Sequence, residues 1–310
     1  MRKSVLGNDP FQRGAAPLPS PLAAAPEPAA TKRAKTPARQ RKADPAREPA
    51  GAAETAALPL PAPSTPERPE SQPSPPRGLQ SGSVVASVFN FLFEQYWRVR
   101  VEGAEQVPRG PAIVIANHVG ALPVDGPIVT MALRRARPDL LEPRWLAEDQ
   151  LLNFPILGGS LFELGAVPAS FQNGLRLLKE GRPVLVFPEG TQGLSKPIFD
   201  RYQLKRFGRG GFLKLAHEAS APIVPVGVIG GEEAMPTLAR LPGLLGLPYV
   251  PLTLPPLPTR WTIRFGAPLK LDLNGNELEG EALQGQIEVA RQSVEGLVKS
   301  LRAARHSLFW

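Results

Sequence analysis

The chain has 310 residues, a formal net charge of +8 at pH 7 and no cysteine. This length suits one sizeable domain, and the lack of cysteine excludes disulfides, thiol nucleophiles and thiolate zinc sites, so a reducing cytoplasm is the simplest location. No apolar run reaches the roughly 20 residues of a membrane-spanning helix, and Met1–Val5 is followed by Asn8, Asp9 and Pro10 rather than by an apolar signal core.

The first 82 residues are predicted to be a disordered tail, and an α/β domain is predicted for residues 83–310. Residues 1–80 hold 17 of the 38 prolines and show no periodic apolar pattern. Such a segment buries too little apolar area to offset its ordering entropy. The tail carries 12 Lys and Arg against 7 Asp and Glu, and residues 32–42 contain six basic residues without an acid. This patch suits anionic lipid or nucleic acid, or it belongs to a solvated linker that binds nothing in particular. Binding to a specific nucleic acid is not expected.

Ordered structure is predicted to begin near Ser83, which can cap a helix containing Val84, Val88 and Tyr96 at helical spacing. That helix either packs on its own domain or lies partly in a membrane surface. Arg98–Glu102 is predicted to follow as a strand. Ala112–Ala116 then forms an apolar run typical of a buried strand.

The buried strand ends abruptly in the polar pair Asn117-His118, and Gly120, Pro123 and Asp125 follow. In α/β sheets, ligands gather beyond the carboxyl ends of strands. A histidine in that position, one of only three in the chain, is therefore a candidate site residue, although a hydrogen-bonded histidine at a strand edge is the commoner case.

Strand and helix patterns alternate in the rest of the domain. We predict a strand from Arg144 running into a helix with Leu151 and Leu157, then a short apolar helix between Gly159 and the turn at Gly165–Ala169, and a helix capped by Ser170. Further strands are predicted at residues 183–187, 222–229 and 261–265, a polar loop at 188–193, a helix around 212–216, and an amphipathic closing helix at 281–305. The fold class is a mixed, largely parallel sheet flanked by helices.

Four ordered blocks of the sequence resemble the glycerolipid acyltransferase family, which includes lysophosphatidate and monoacylglycerol acyltransferases. The blocks are Asn117-His118 to Asp125, Gly165–Ala169, Phe187–Thr191 and Ile223–Val226, and the resemblance covers about residues 95–270. It implies an O-acyltransferase that takes a fatty acyl group from a thioester donor, acyl-CoA or acyl carrier protein, and transfers it to a glycerolipid hydroxyl. No metal is expected, because no His/Asp/Glu cluster in the sequence has ligand spacing, and no other cofactor is expected.

The resemblance also implies roles for particular residues. His118 would be the general base for the hydroxyl proton, and Asp125 would orient the imidazole. Asn117, Glu189, Gly190 and Thr191 would contact substrate. The carboxylate of Glu189 and the hydroxyl of Thr191 would bond glycerol hydroxyls, unless this segment is only a structural turn.

The sequence departs from the family pattern in two respects. Six residues separate His118 from Asp125 where the family has four, so we expect a two-residue bulge if the two still meet; otherwise another acid, such as Glu148, or none orients the ring. Ala169 and Gln192 stand where members with phosphorylated acceptors commonly carry arginine. Either the acceptor is not a simple phosphate ester, or its phosphate is contacted from another direction by Arg201, Lys205, Arg206 or Arg209.

Two other readings of the site stay open, a lipid hydrolase that uses the same His-Asp pair and an inactive lipid-binding protein. The expected location is the cytoplasm, peripheral to the inner face of the membrane. Residues 241–257 are apolar and rich in proline, with no charge between Arg240 and Arg260. The prolines predict a loop rather than a helix or a central strand, and this apolar loop either contacts the bilayer or folds over the protein's own core.

Overall fold

A seven-stranded sheet forms the centre of the described part of the computed structural model, which comprises residues 83–120, 122–153, 157–194, 196–236, 253, 255–271, 279–307 and 309. The strands in chain order are β1 (Arg100–Glu102), β2 (Ala112–Ala116), β3 (Arg144–Ala147), β4 (Ala166–Pro168), β5 (Pro183–Val186), β6 (Ile223–Ile229) and β7 (Thr262–Phe265). The predicted tail and most of the apolar loop lie outside the described residues.

The strands lie in the order β1-β7-β6-β2-β5-β3-β4. All neighbouring pairs are parallel except β6 and β7, which are antiparallel. The predicted mixed, largely parallel sheet is therefore confirmed. β2 lies at the centre with every residue buried, as expected for a continuous apolar run with parallel neighbours on both sides.

Helices cover both faces of the sheet. They are α1 (Val84–Phe91), which continues as a π-helical turn (Leu92–Tyr96), α2 (Asp125–Ala136), α3 (Asp149–Leu152), α4 (Leu157–Glu163), α5 (Phe171–Lys179), α6 (Thr191–Leu194), α7 (Gly211–Glu218), α8 (Gly231–Ala234) and α9 (Gly280–Ala304). Short 3₁₀ turns span Ala104–Gln106 and Ile198–Asp200.

The alternation of side chains along β2 divides the core into two layers. Ala112, Val114 and Ala116 face a layer that contains Trp97, Ile128, Trp145 and Trp261. Ile113 and Ile115 face the other layer, which contains Leu177, Phe212, Leu213 and Ile287. Burying both faces fixes the sheet within the domain and leaves the strand ends as the places where polar groups can collect.

Local capping signals account for several helix boundaries. The side chain of Ser83 accepts a hydrogen bond from the N–H of Ala86, and that of Ser170 accepts one from the N–H of Asn173. Each bond satisfies a donor of the first helical turn. Both predicted caps are thus confirmed, and the predicted closing helix is α9, with Leu283, Ile287, Val294, Val298 and Leu301 buried.

Three local predictions are corrected. The predicted turn at 165–169 contains strand β4, because Gly165 turns the chain at φ +89° and the next residues pair with β3. The predicted polar loop after β5 becomes helix α6 from Thr191 onward. Of the two helices predicted after β3, the first is shorter than expected, since α3 ends at Leu152 and Leu157 belongs to the second, α4. Sheet pairing and packing decide these segments, and neither can be read from residue propensity.

The carboxyl ends of β3, β5, β2 and β6 meet along one edge of the sheet, because these four neighbours are parallel. Glu148 follows β3, residues 187–191 follow β5, His118 follows β2 and Glu232 follows β6. None of the described helices has both the length and the apolar composition needed to cross a bilayer.

Candidate active site

A cleft of about 490 Å³ lies at this carboxyl edge. Apolar side chains contributed by β3, β5 and the start of α7 include Trp145, Leu146, Val186 and Phe212. Polar and charged residues of the lining include His118, Glu148, Thr191, Gln192, Arg206 and Arg209. A mostly apolar cleft with a few polar groups is typical of a site for a small molecule with an apolar part.

His118 and Asp125 meet at the side of the cleft formed by the β2 turn. The distance between Nδ1 of His118 and Oδ2 of Asp125 is 2.6 Å, and the Asp125 side chain is 1% exposed. A carboxylate can only accept a hydrogen bond, so in the neutral imidazole this contact places the proton on Nδ1 and leaves Nε2 as the acceptor. His118 and Asp125 are therefore in contact despite the six residues between them in the sequence.

The turn after β2 closes through the beginning of α2. Gly120 adopts φ +84°, and Asp125 is the first residue of the helix. Besides the imidazole, the Asp125 carboxylate accepts the N–H of Val119 at 3.2 Å and the N–H of Gly126 at 2.9 Å. A carboxylate at a helix N-terminus is also favoured by the helix dipole. The extra residues thus bring Asp125 back to the ring as part of a helix start.

The His118 ring packs closely against the segment that follows β5. It stacks on Phe187 with ring centroids 4.2 Å apart and planes inclined by 13°. A β-carbon at Gly193 would lie 2.7 Å from Cβ of His118 and 2.9 Å from Cβ of Glu189, closer than real β-carbons approach other atoms. Glycine at 193 therefore permits α6 to pack against His118.

Glu189 lines the cleft, and its buried side chain has several hydrogen-bond donors around it. Its Oε1 accepts the N–H of His118 at 3.0 Å and the Lys196 ammonium at 3.1 Å; its Oε2 accepts the N–H of Lys205 at 2.7 Å. Its side chain is 0% exposed. The expectation that this carboxylate bonds glycerol hydroxyls stays a prediction; the residue lines the cleft, but its carboxylate contacts protein donors.

Lys196 lies between two buried carboxylates. Its Nζ is 2.9 Å from Oε2 of Glu189 and 3.5 Å from Oε1 of Glu232. Burial opposes the charge on Lys196, but Glu189 and Glu232 outweigh burial and raise its pKa. One ammonium cannot neutralise two carboxylates, and burial raises the pKa of Glu232 to about 7 against the attraction of Lys196.

Asn117 ties the end of β2 to β6. Its side-chain amide donates to the carbonyl of Val228 at 2.9 Å and accepts the N–H of Val228 at 2.8 Å, and the residue is 0% exposed. The expectation that Asn117 contacts substrate stays a prediction; the hydrogen bonds of its side chain go to Val228. The amide replaces a pair of strand hydrogen bonds at the point where β2 gives way to the His118 turn.

The remaining predicted residues divide between two places. Gly190, Thr191 and Arg209 line the cleft, and so do Ala169 and Gln192, the positions where arginine is absent. Arg201 lines a separate pocket of about 230 Å³, together with Glu233, Arg302 and Arg305. Arg201 is therefore not brought to the cleft, and Arg206, whose guanidinium donates to Gln284 at 3.0 Å, lies there instead.

Four features of the site were not predicted from the sequence. They are the stacking of Phe187 on His118, the close approach of α6 to His118 at Gly193, the buried ammonium of Lys196 and the buried carboxylate of Glu232. Only the glycine directly after the 188–192 segment gives a local signal. In the part of the chain that the structure describes, no three His, Asp or Glu side chains are grouped as a metal ion requires. What the arrangement offers chemically is a histidine in a defined tautomer beside an apolar cleft with cationic groups in its lining.

Known proteins resemble this chain over most of the domain. The acyltransferase family model matches residues 98–229. An uncharacterized protein of Mycobacterium tuberculosis is 36% identical over 246 residues, covering 74% of this chain and 69% of that protein. A probable 1-acyl-sn-glycerol-3-phosphate acyltransferase of Mycoplasma pneumoniae is 28% identical over 176 residues, covering 54% and 62%.

Among solved structures, the 1-acyl-sn-glycerophosphate acyltransferase of Thermotoga maritima matches with a TM-score of 0.46 and 22% identity, over 72% of this chain and 78% of that one. The segment matched by the family model runs from just before β1 to the end of β6. It includes His118, Asp125, Glu189 and Lys196.

Proposed function

This chain belongs to the acyltransferase family, and from that premise we propose that it transfers a fatty acyl group from acyl-CoA or acyl carrier protein to a hydroxyl of a glycerolipid, with His118 as general base. The observation that carries the proposal is the 2.6 Å contact between Nδ1 of His118 and Oδ2 of Asp125, next to a cleft lined largely by apolar side chains. An imidazole whose tautomer is fixed by a carboxylate is suited to accepting a hydroxyl proton near neutral pH.

The proposed reaction begins when the acceptor oxygen attacks the carbonyl carbon of the thioester while Nε2 of His118 accepts the hydroxyl proton. A carbon–oxygen bond forms and the carbon–sulfur bond breaks. The proton then passes from the imidazolium to the departing thiolate. Asp125 stabilises the positive charge on the ring between these steps, and Gly190 and Thr191, which line the same cleft, contact the substrate.

Product analysis tests this proposal. The protein is incubated with acyl-CoA labelled in the acyl group and a panel of lysophospholipids, monoacylglycerols and diacylglycerols, and the labelled products are separated. We expect labelled glycerolipid from wild type and a decrease in turnover of about 10²-fold or more for His118→Ala, because general-base catalysis contributes about 10² to 10⁴. His217→Ala, at an exposed position of α7, is the control. Free fatty acid alone would show a hydrolase instead.

The two arginines of the cleft are proposed to bind a phosphate group, either of the CoA donor or of a phosphorylated acceptor. This is supported by the positions of Arg206 and Arg209 in the cleft lining, whereas Ala169 and Gln192 supply no charge. Guanidinium groups are well suited to phosphate because they offer several donors in a planar fork.

Steady-state kinetics separate the two sources of phosphate. Arg206→Gln and Arg209→Gln should raise the KM for acyl-CoA if the donor is bound there, and the KM for lysophosphatidate but not monoacylglycerol if the acceptor is bound there. Arg201→Gln, outside the cleft, is the matched control. Unchanged KM values for all substrates would remove the arginines from the binding site.

Contact with the inner face of the membrane is proposed to involve α1. Val84, Val88 and Phe91 are 79%, 49% and 56% exposed, and their spacing places them on one side of the helix. Such an exposed apolar stripe can lie in the lipid interface, while the basic tail adds salt-sensitive attraction to anionic lipid. Val88→Ser with Phe91→Ser should weaken vesicle flotation even at high salt. Val289→Ser, an exposed position of α9, should not.

A further inference from the structure

One buried ion pair contacts both polar main-chain groups of His118. Oε1 of Glu189 accepts the His118 N–H at 3.0 Å, and the Lys196 ammonium donates to the His118 carbonyl at 3.2 Å. Glu189 and Lys196 are themselves paired at 2.9 Å, and their side chains are 0% and 2% exposed. The peptide groups on both sides of the histidine are therefore attached to the same pair of charges.

The lysine joins three separate parts of the chain. Its ammonium has three N–H donors, and its neighbours are the His118 carbonyl after β2, the Glu189 carboxylate after β5, and the Glu232 carboxylate at 3.5 Å in α8. Taking an ammonium out of water is costly unless it is paired with good geometry. An alternative placement of the His118 turn would have to break these contacts inside the protein, where water cannot replace them.

The His118 ring makes two further contacts, and both depend on where the ion pair holds the main chain. The ring stacks on Phe187, two residues before Glu189, and Nδ1 contacts Asp125 at the start of α2. Displacement of the main chain at His118 would move the ring relative to both. Misplacement of a catalytic group by about 1 Å can cost about 10²-fold in rate.

We propose that Lys196 is a positioning residue of the active site, whose ammonium, paired with Glu189, clamps the main chain of His118 and so places the imidazole at the cleft. This inference rests on the proposed function of His118. Lys196 does not contact the reacting atoms; it acts through the position of the histidine. Because Lys196 is not among the residues that line the cleft, its removal should lower kcat and leave KM unchanged.

Three variants test the clamp. Lys196→Met removes the charge at similar volume but leaves two buried carboxylates without their ammonium, so it can lose stability. Lys196→Met combined with Glu232→Gln removes one of those carboxylates and relieves the excess charge. Lys196→Arg keeps the charge but moves its donors, and it serves if the first two variants do not fold. Lys214→Met, at an exposed position of α7, is the matched control.

Kinetics are measured well below the melting temperature of each variant, so that only folded protein is compared. We expect kcat to fall about 10-fold to 10²-fold in the charge-removing variants and several-fold in Lys196→Arg, with the KM of donor and acceptor within about twofold of wild type. A folded variant with a lower melting temperature but wild-type kcat would overturn the proposal, because lysine would then be only structural.

Ring resonances of histidine in NMR spectra provide a readout that does not depend on acyl transfer. The chain has three histidines, and His217 and His306 are exposed, so they act as internal controls. In the Lys196 variants, the His118 resonances should shift while the other two remain in place. Unmoved His118 resonances would overturn the clamp. A wild-type protein that transfers no acyl group would instead refute the proposed function and leave the resonance comparison valid.

Discussion

His118 has buried acids on two sides, and the two sides contact different parts of the residue. On the α2 side, Asp125 contacts the imidazole through Nδ1. On the β5 side, Glu189 and Lys196 contact the main-chain N–H and carbonyl and leave the ring to stack on Phe187. The first side controls which ring nitrogen carries the proton, and the second controls where the ring lies. Two carboxylates close to one histidine can therefore have different functions, which depend on the atoms that they contact.

The two sides also differ in charge balance. The Asp125 carboxylate accepts two backbone N–H groups in addition to the ring contact, at the N-terminus of a helix. On the other side, Lys196 stands between Glu189 and Glu232, and burial raises the pKa of Glu232 to about 7. We expect changes on the ring side to affect catalysis most, and changes on the main-chain side to affect geometry and stability.

The largest effect is expected from Asp125→Asn, which changes the contact to the His118 imidazole and leaves the main-chain contacts of His118 in place. An amide can present its NH₂ group to Nδ1, and the ring then takes the opposite tautomer, with Nε2 protonated and unable to accept the hydroxyl proton. Turnover should fall by about 10² to 10⁴-fold in a protein that remains folded. The measurement is kcat with labelled acyl-CoA, with Asp139→Asn at the surface as control. Activity within twofold of wild type would show that the ring is oriented by another group.

A smaller effect is expected from Gly193→Ala, which adds a β-carbon too close to His118 on the side of Glu189 and Lys196. The new β-carbon would lie 2.7 Å from Cβ of His118, so the histidine or α6 must shift. We expect kcat to fall about 10-fold, in line with a displacement below 1 Å.

Gly296→Ala is the matched control for this change, because nothing lies within 4 Å of a β-carbon at that position of α9. Alanine in an open helical position should raise stability by about 0.5 to 1 kcal/mol and leave kcat unchanged. Equal activities of the two alanine variants would show that the close approach at Gly193 has no consequence for the site.

The smallest effect is expected from Glu232→Gln, and it concerns stability as a function of pH. Burial raises the pKa of Glu232 from an ordinary value of 4.5 to about 7, so the folded protein binds this proton more tightly than the unfolded chain. The free energy of unfolding of wild type therefore falls as pH rises from about 4.5 to about 7, by an amount on the order of 3 kcal/mol. Glutamine has no proton to lose. The free energy of unfolding of Glu232→Gln, relative to that of wild type, should therefore increase between about pH 4.5 and pH 7 and level off at higher pH.

Denaturant unfolding at pH 5, 6, 7 and 8 measures this difference. Glu288→Gln provides the contrast, because the hydrogen bond from Arg291 lowers the pKa of Glu288 to about 2. Both the folded and the unfolded pKa then lie below pH 5, and the difference from wild type should stay constant across the series. A constant difference for Glu232→Gln as well would mean that Glu232 is ionised throughout this range.

The sequence was sufficient for the parts of the fold that depend on local pattern. The apolar run Ala112–Ala116 is the central strand, the serine caps lie at the starts of α1 and α5, and the amphipathic pattern at the end of the chain is α9. It was insufficient for β4, since a three-residue edge strand exists only because β3 offers a pairing edge.

The candidate site divides in the same way. The break from an apolar strand into Asn117-His118 and the segment after β5 were visible in the sequence, because polar residues at strand ends stand out against buried runs. The direction of the side chains was not visible. The backbone of Val228 orients the Asn117 side chain into the protein, and Lys196 and the backbone of Lys205 do the same for Glu189. Val228 is far from Asn117 in the sequence, and neither Lys196 nor Lys205 belongs to a recognisable sequence pattern.

By itself, the sequence determined the family resemblance, the alternation of strand and helix, and the position of a histidine at the end of a buried strand. These features depend on residue type, order and short-range spacing. Only the tertiary structure decided that Asp125 reaches the ring across six residues, that Arg206 rather than Arg201 lines the cleft, and that Lys196 is buried beneath His118. Each of these depends on which chain segments meet at the carboxyl edge of the sheet, and that is set by strand order and packing.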